Sequence, residues 1–142
     1  MTTNRRAGEV GLHYLTIAAQ LRRAVDEHMA GSGASLARTK ILQVLAEHGP
    51  LKQARLAEEL GQAARSITQA VETMQRDGLV HRSPDPDDGR AKVVTVTEEG
   101  LRALAAGEAA GNEILRRTFR RFGAEQLEVL DEMLTVIGTQ IR

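Results

Sequence analysis

The chain has 142 residues, nineteen basic against nineteen acidic, no cysteine or tryptophan, one tyrosine and two phenylalanines. That length makes about one domain, since domains run roughly 100–150 residues, and the lack of cysteine excludes a disulfide framework, an iron–sulfur cluster, a Cys-based zinc site and a thiol nucleophile. So few aromatic rings argue against single-strand nucleic-acid binding by base stacking, and a zero charge sum leaves a duplex partner to be decided by where the charges sit.

Residues 1–8 are polar and expected to fray. From Val10 the apolar residues Leu15, Ala18, Leu21, Val25 and Met29 fall at helical spacing, so these positions are expected to face inward. Gly31-Ser32-Gly33 ends that helix. It is read as a loop rather than a phosphate-binding turn, because no strand precedes it. A second helix runs from Leu36 to His48, with Ile41, Leu42 and Leu45 inward, and Gly49-Pro50 stops it. Leu51 to Leu60 reads as a third, short helix broken by Gly61. A fourth runs from about Ala63 to Arg76, with Ile67, Val71 and Met74 inward and Gly78 at C′.

The period then changes. Leu79–Arg82 and Lys92–Val96 read as strands, and the turn-rich Ser83–Gly89 between them makes a long-tipped β-hairpin. Thr97 is the expected N-cap of a helix reaching about Arg121, with Glu98 and Glu99 in its positive first turn. Gly107 and Gly111 weaken that helix or admit a close neighbour. A last helix runs from Ala124 to Ile141, where Leu127, Leu130, Leu134, Ile137 and Ile141 repeat at the spacing of a coiled-coil seam. Intramolecular packing is the alternative for that seam, but Val129, Met133 and Val136 broaden its face, which favours a dimer core.

Helices three and four, joined by a short glycine turn and followed by a hairpin, have the order of a winged helix-turn-helix. Such a motif places one helix in a major groove about 12 Å wide. The string Asp77-Gly78-Leu79-Val80-His81-Arg82, the aspartate-rich turn through Asp88-Gly89-Arg90-Ala91-Lys92, and Val96-Thr97-Glu98-Glu99-Gly100 together carry a sharper signal. They resemble the MarR family of winged helix-turn-helix transcriptional regulators, as does Leu56-Ala57-Glu58-Glu59-Leu60-Gly61 upstream. The resemblance covers roughly residues 36–104. It implies a mostly α fold (α+β), with residues 1–35 and 105–142 as a helical dimerisation region and 36–104 as a DNA-binding lobe. It further implies a homodimer, a fourth helix that reads the major groove, and a wing arginine that reaches the minor groove. Here that arginine is Arg90, with Asp88 as its orienting partner.

On the fourth helix, Arg65 is suited to guanine and Gln69 to adenine. Ser66, Thr68 and Thr73 suit phosphate or mixed contacts, and Arg76 and Lys92 complete the expected DNA-binding set. Two departures from the family pattern weaken the expected affinity: Gly89 where a basic residue is common, and Ala63 where a serine N-cap is common. Relatives carry an effector pocket between dimerisation helices and lobe, and the candidates here are Leu12, His13, Tyr14, Leu15, Thr16, Ala19 and Leu42, with residues near Leu104.

The cluster Arg116, Arg117, Arg120 and Arg121 suits an acidic partner or, as readily, a solvated helix end. His13, His28, His48 and His81 show no zinc spacing, so no metal or cofactor is expected. No nucleophile elbow or Ser/His/Asp set can be placed, so the chain is not expected to be an enzyme. Val10–Leu21, the longest stretch without charge, is too short to span a membrane, and no signal peptide opens the chain; a soluble cytoplasmic protein is expected. The expected function is sequence-specific binding of double-stranded DNA as a transcriptional regulator, a repressor in the first instance, on a pseudo-palindromic operator, with release by a small-molecule effector. The alternative is a winged-helix protein–protein interaction module without specific DNA binding, which the zero net charge and acidic wing favour slightly.

Overall fold

The computed structural model describes residues 2–31 and 33–141, so Ser32 in the expected turn lies outside the described residues. Six helices and three short strands follow in the order α1 (Thr2–Ala30), α2 (Leu36–His48), β1 (Leu51–Lys52), α3 (Gln53–Leu60), α4 (Ala64–Arg76), β2 (Val80–Pro84), β3 (Lys92–Val96), α5 (Glu98–Thr118) and α6 (Ala124–Gln140). The three strands form one antiparallel sheet in the order β1-β3-β2.

Two apolar clusters organise the packing. The larger joins Ile41, Leu42 and Leu45 of α2 to Leu56, Ile67, Val71, Met74, Val80 and Val94, with Leu104 closing it from α5. The smaller joins Val25 and Met29 of α1 to Ala110 of α5, with Leu21 and Leu36 against them. Gly107 admits the close approach of α5 to α2, because a Cβ there would run into the Thr39 hydroxyl.

Several local expectations are corrected. Residues 2–8 are helical rather than frayed: extending an existing helix avoids the cost of nucleation, and Glu9 pairs with both Arg5 and Arg6. Leu51–Lys52 is a strand, not the start of α3, and pairs with Val94 and Val93. Periodicity cannot separate so short a run from helix, and Gly49, at φ 77°, turns the chain onto the open edge of β3. The first hairpin strand is shifted to Val80–Pro84. The helix expected to reach Arg121 ends at Thr118, with Phe119 as C-cap. Leu15, expected inward, is exposed.

α6 buries none of its residues, and Leu127, Val129, Met133, Val136 and Ile137 stand exposed along it. The first half of α1 likewise exposes Val10, Leu12, Tyr14, Leu15 and Ile17. Among the described residues no helix is long and apolar enough to cross a membrane.

Candidate nucleic-acid interface

α4 is amphipathic in the simplest sense. Ile67, Val71 and Met74 are buried against the lobe core, while Arg65, Gln69, Glu72 and Arg76 repeat on the exposed side. Its N-cap, Ala63, offers no side-chain hydrogen bond, so the first amide N–H groups of the helix keep no side-chain acceptor. Arg65 and Ser66 sit at this exposed end. Thr68 and Thr73 are half-buried, and their hydroxyls are committed within the motif. Thr68 Oγ1 donates to Ala64 O at 3.0 Å and accepts from Gln53 Nε2 at 2.8 Å. Thr73 Oγ1 donates to Gln69 O at 3.1 Å. Thr68 thus ties α3 to α4, a role that outward spacing alone did not suggest.

The basic side chains of residues 36–104 divide into two groups. Arg38, Lys52, Arg55, Arg82 and Arg102 are each ion-paired, with Asp77, Asp85, Glu59, Glu72 and Glu99 respectively. Among the described residues of this stretch five form no ion pair: Lys40 of α2, which is half-buried, and Arg65, Arg76, Arg90 and Lys92, which are exposed as part of α4 and of the wing.

The wing tip is built by its aspartates. Asp85 N–H donates to Ala91 O at 2.9 Å and Ala91 N–H to Asp88 O at 3.0 Å, which closes the loop. Asp85 Oδ1 accepts from Asp87 N–H at 3.0 Å. Asp88 Oδ1 accepts from the Arg90 backbone N–H at 3.1 Å, so it sets the main chain at Arg90 and not the guanidinium. Asp85 is buried, 5% exposed, and its Oδ2 lies 3.1 Å from Lys52 Nζ on the adjoining end of β1. The Asp87 N–H and then Lys52 hold the Asp85 carboxyl below the usual carboxylate range, and contact with Asp85 raises the Lys52 ammonium. One of the three wing charges is therefore neutralised within the fold.

A pH dependence follows from these directions. A carboxyl whose pKa is depressed by folding adds stability that is present above its ordinary pKa of 3.8 and is lost as pH falls through its lowered value. Lys52, raised from 10.5, adds stability that is lost only as pH rises through its raised value. Amide exchange of Asp85 and Ala91 should therefore quicken in acid beyond the intrinsic rate. Asp85→Asn should show that quickening already at neutral pH; equal protection in the variant and the unaltered chain would remove the pair from the wing's support.

The expected effector residues do not converge. Leu12, His13, Leu15, Thr16 and Ala19 are exposed on α1, and Leu42 is buried in the lobe core. Tyr14 does line an apolar groove of about 390 Å³, with Leu21, Val25, Leu36, Phe119 and Leu134 among its walls and Arg22 also lining it. Leu130 shares that groove, and Leu127 lines a second depression together with Phe119, Leu130 and Leu134. Ile141, 72% exposed, lies just past α6. Among the described residues no three His, Asp or Glu side chains gather as a metal site.

This architecture has known counterparts. The MarR family model matches residues 35–92. The HTH-type transcriptional repressor IacR of Pseudomonas putida is 31% identical over 100 residues, which cover 70% of this chain and 60% of that protein. Residues 35–92 carry the MarR-family domain. The chain spans less than two thirds of the length of the curated relatives it first matches, 60% and 65% for the first two.

Solved MarR-type folds superpose along nearly the whole chain. The regulator BldR of Sulfolobus solfataricus matches with a TM-score of 0.86 at 21% identity, covering 99% of this chain and 100% of BldR. A mutant MarR from E. coli complexed with operator DNA matches with a TM-score of 0.81 at 18% identity, over 91% and 93% of the two chains. At such identities the likeness is one of fold. The winged helix expected from the motif string is thus the fold of this chain.

Proposed function

We propose that this chain is a homodimeric, sequence-specific double-stranded-DNA-binding transcriptional repressor of the MarR family. It acts on a pseudo-palindromic operator in the cytoplasm and is released by a small-molecule effector. The observation that carries the reading is the division of charge: among the described residues, the basic groups of the lobe that are both unpaired and exposed, Arg65, Arg76, Arg90 and Lys92, belong to its recognition helix and wing, while the unpaired Lys40 of α2 is half-buried. Phosphate and base contacts require such uncommitted cations. The name of the Pseudomonas relative, a repressor, and the operator complex of the E. coli neighbour support the same reading.

In this reading α4 enters the major groove with Arg65 and Gln69 at base edges, and Ser66 and the free first-turn amides meet phosphate. Arg90 enters the minor groove from the wing. Residues 1–35 and 105–142 form the dimerisation region and 36–104 the DNA-binding lobe. Two lobes related by a twofold axis read half-sites about one helical turn, roughly 10–10.5 bp, apart. The exposed apolar residues of α6 and of the first half of α1 cover one another between subunits. Leu134→Glu should accordingly convert dimer to monomer in sedimentation at micromolar concentration; an unshifted dimer would place the interface elsewhere. The groove at Tyr14 has the size and apolar walls of a small-molecule site, and a ligand there acts by shifting the population of lobe spacings.

The test is fluorescence anisotropy with the duplex upstream of the chain's own coding region and a scrambled duplex at two salt concentrations. Tight, duplex-selective binding that weakens steeply with salt is expected. Absence of binding even at low salt would favour the protein-interaction module instead.

A further inference from the structure

The two ends of the recognition helix are held from different directions. At its start, Gln53 of α3 donates to Thr68. At its end, Arg38 of α2 donates from Nη2 to Asp77 Oδ2 at 2.7 Å, across 39 positions of sequence. Asp77 is the C-cap of α4, the last residue before Gly78 turns the chain toward β2 at φ 80°. Arg38 stands in the first turn of α2, where its backbone N–H donates to the N-cap Ser35 Oγ at 3.2 Å. One position into that helix, the Leu36 N–H donates to Asp26 Oδ1 of α1 at 2.8 Å. The same turn is thus tied to α1 on one side and to the end of α4 on the other. Leu36 also lines the apolar groove with Leu21 and Val25.

The Arg38–Asp77 pair is 31% and 47% exposed, and pairs so placed add little to folding stability. Its effect is positional: one short charge-assisted hydrogen bond, Nη2 to Oδ2 at 2.7 Å, tethers the C-cap of α4 to the first turn of α2. We infer that Arg38 is a positioning residue for operator recognition, which through Asp77 fixes the end of α4 relative to α1 and so sets the angle at which Arg65 and Gln69 are presented. The inference rests on the DNA-binding reading above.

The experiment compares the unaltered chain with Arg38→Ala, Asp77→Ala, the double variant, and the exchanged pair Arg38→Asp with Asp77→Arg. Each is titrated into the operator duplex over a range of salt and melted by circular dichroism. A positioning role predicts that either single change weakens operator binding tenfold or more with little change in melting. The double variant is no worse than either single one, the exchanged pair recovers most of the affinity, and the salt slope is kept.

A direct phosphate contact from Arg38 predicts otherwise. The salt slope of Arg38→Ala would fall by about one per contact, and Asp77→Ala would tighten binding by removing a carboxylate near phosphate. That pattern overturns the inference. So does selective binding by the unaltered chain that Arg38→Ala leaves unchanged. If the single variants melt early, the exchanged pair decides: stable and tight supports the inference, stable and weak overturns it. No duplex-selective binding by the unaltered chain overturns the DNA-binding reading, and the inference with it.

Discussion

Arg90→Ala is expected to lower operator affinity tenfold or more and to leave the fold intact. Arg90 is exposed and unpaired, and its backbone is held by Asp88 Oδ1 at 3.1 Å. Removing its side chain therefore breaks no contact on which the lobe depends. A narrow minor groove carries enhanced negative potential that draws an inserted arginine, and a well-placed contact to a base edge discriminates by about 1–3 kcal/mol. A dimer presents two such arginines, so the losses combine. Anisotropy against operator and scrambled duplex reads the effect. Full affinity in the variant would take the wing out of the mechanism and leave recognition to α4. Asp88→Ala should give a smaller loss, because it frees the main chain at Arg90 without removing the cation.

Gly100→Leu is expected to destabilise the lobe strongly. Gly100 lies in the first turn of α5, where its N–H donates to the N-cap Thr97 Oγ1 at 3.0 Å. The same hydroxyl donates to Gly78 O at 2.6 Å, and the Thr97 N–H donates to Leu79 O at 3.1 Å. The start of α5 therefore clasps the turn between α4 and β2. Even a Cβ on Gly100 would collide with the Leu79 carbonyl and with Val96 Cγ2. Backbone cannot yield as a flexible side chain does, and overpacking of this kind costs about 3 kcal/mol or more. On a chain of this size that lowers the melting point by on the order of 10 °C. Gly100→Ala should show the same effect in milder form. Unchanged melting of both would mean that the clasp yields freely.

Much of this was legible in the sequence because helices and strands write their burial at fixed periods. Ile67, Val71 and Met74 marked the inner face of α4, and the structure buries all three. Thr97 announced its cap by standing before Glu98 and Glu99, and its side chain does accept from Gly100. Relations between distant segments leave no such period. Neither Lys52–Asp85 nor Arg38–Asp77 could be read along the chain, since each joins residues more than thirty positions apart.

For Asp85 a signal existed. Three aspartates within the four residues 85–88 call for a countercharge, and Lys52 is one of only three lysines. The strand that delivers Lys52 is two residues long, too short for any periodic reading. The effector candidates scattered for a related reason. Leu12, Tyr14 and Leu15 are apolar without facing their own chain's core, and sequence alone does not say whether an apolar face looks inward or toward a neighbour.

That α6 buries no residue on its own chain bears on how long the protein survives when scarce. A 17-residue helix that buries none of its residues and only half-buries Leu130 is marginal in water, so its order has to come from the surface that covers it. If that surface is a second subunit, mass action governs the helix. Dilution below the dimer dissociation constant frays residues 124–140 and opens them to proteases, whereas abundance shields them. The molecule would then be cleared fastest when there is least of it, which sharpens the line between a cell that holds the regulator and one that has lost it.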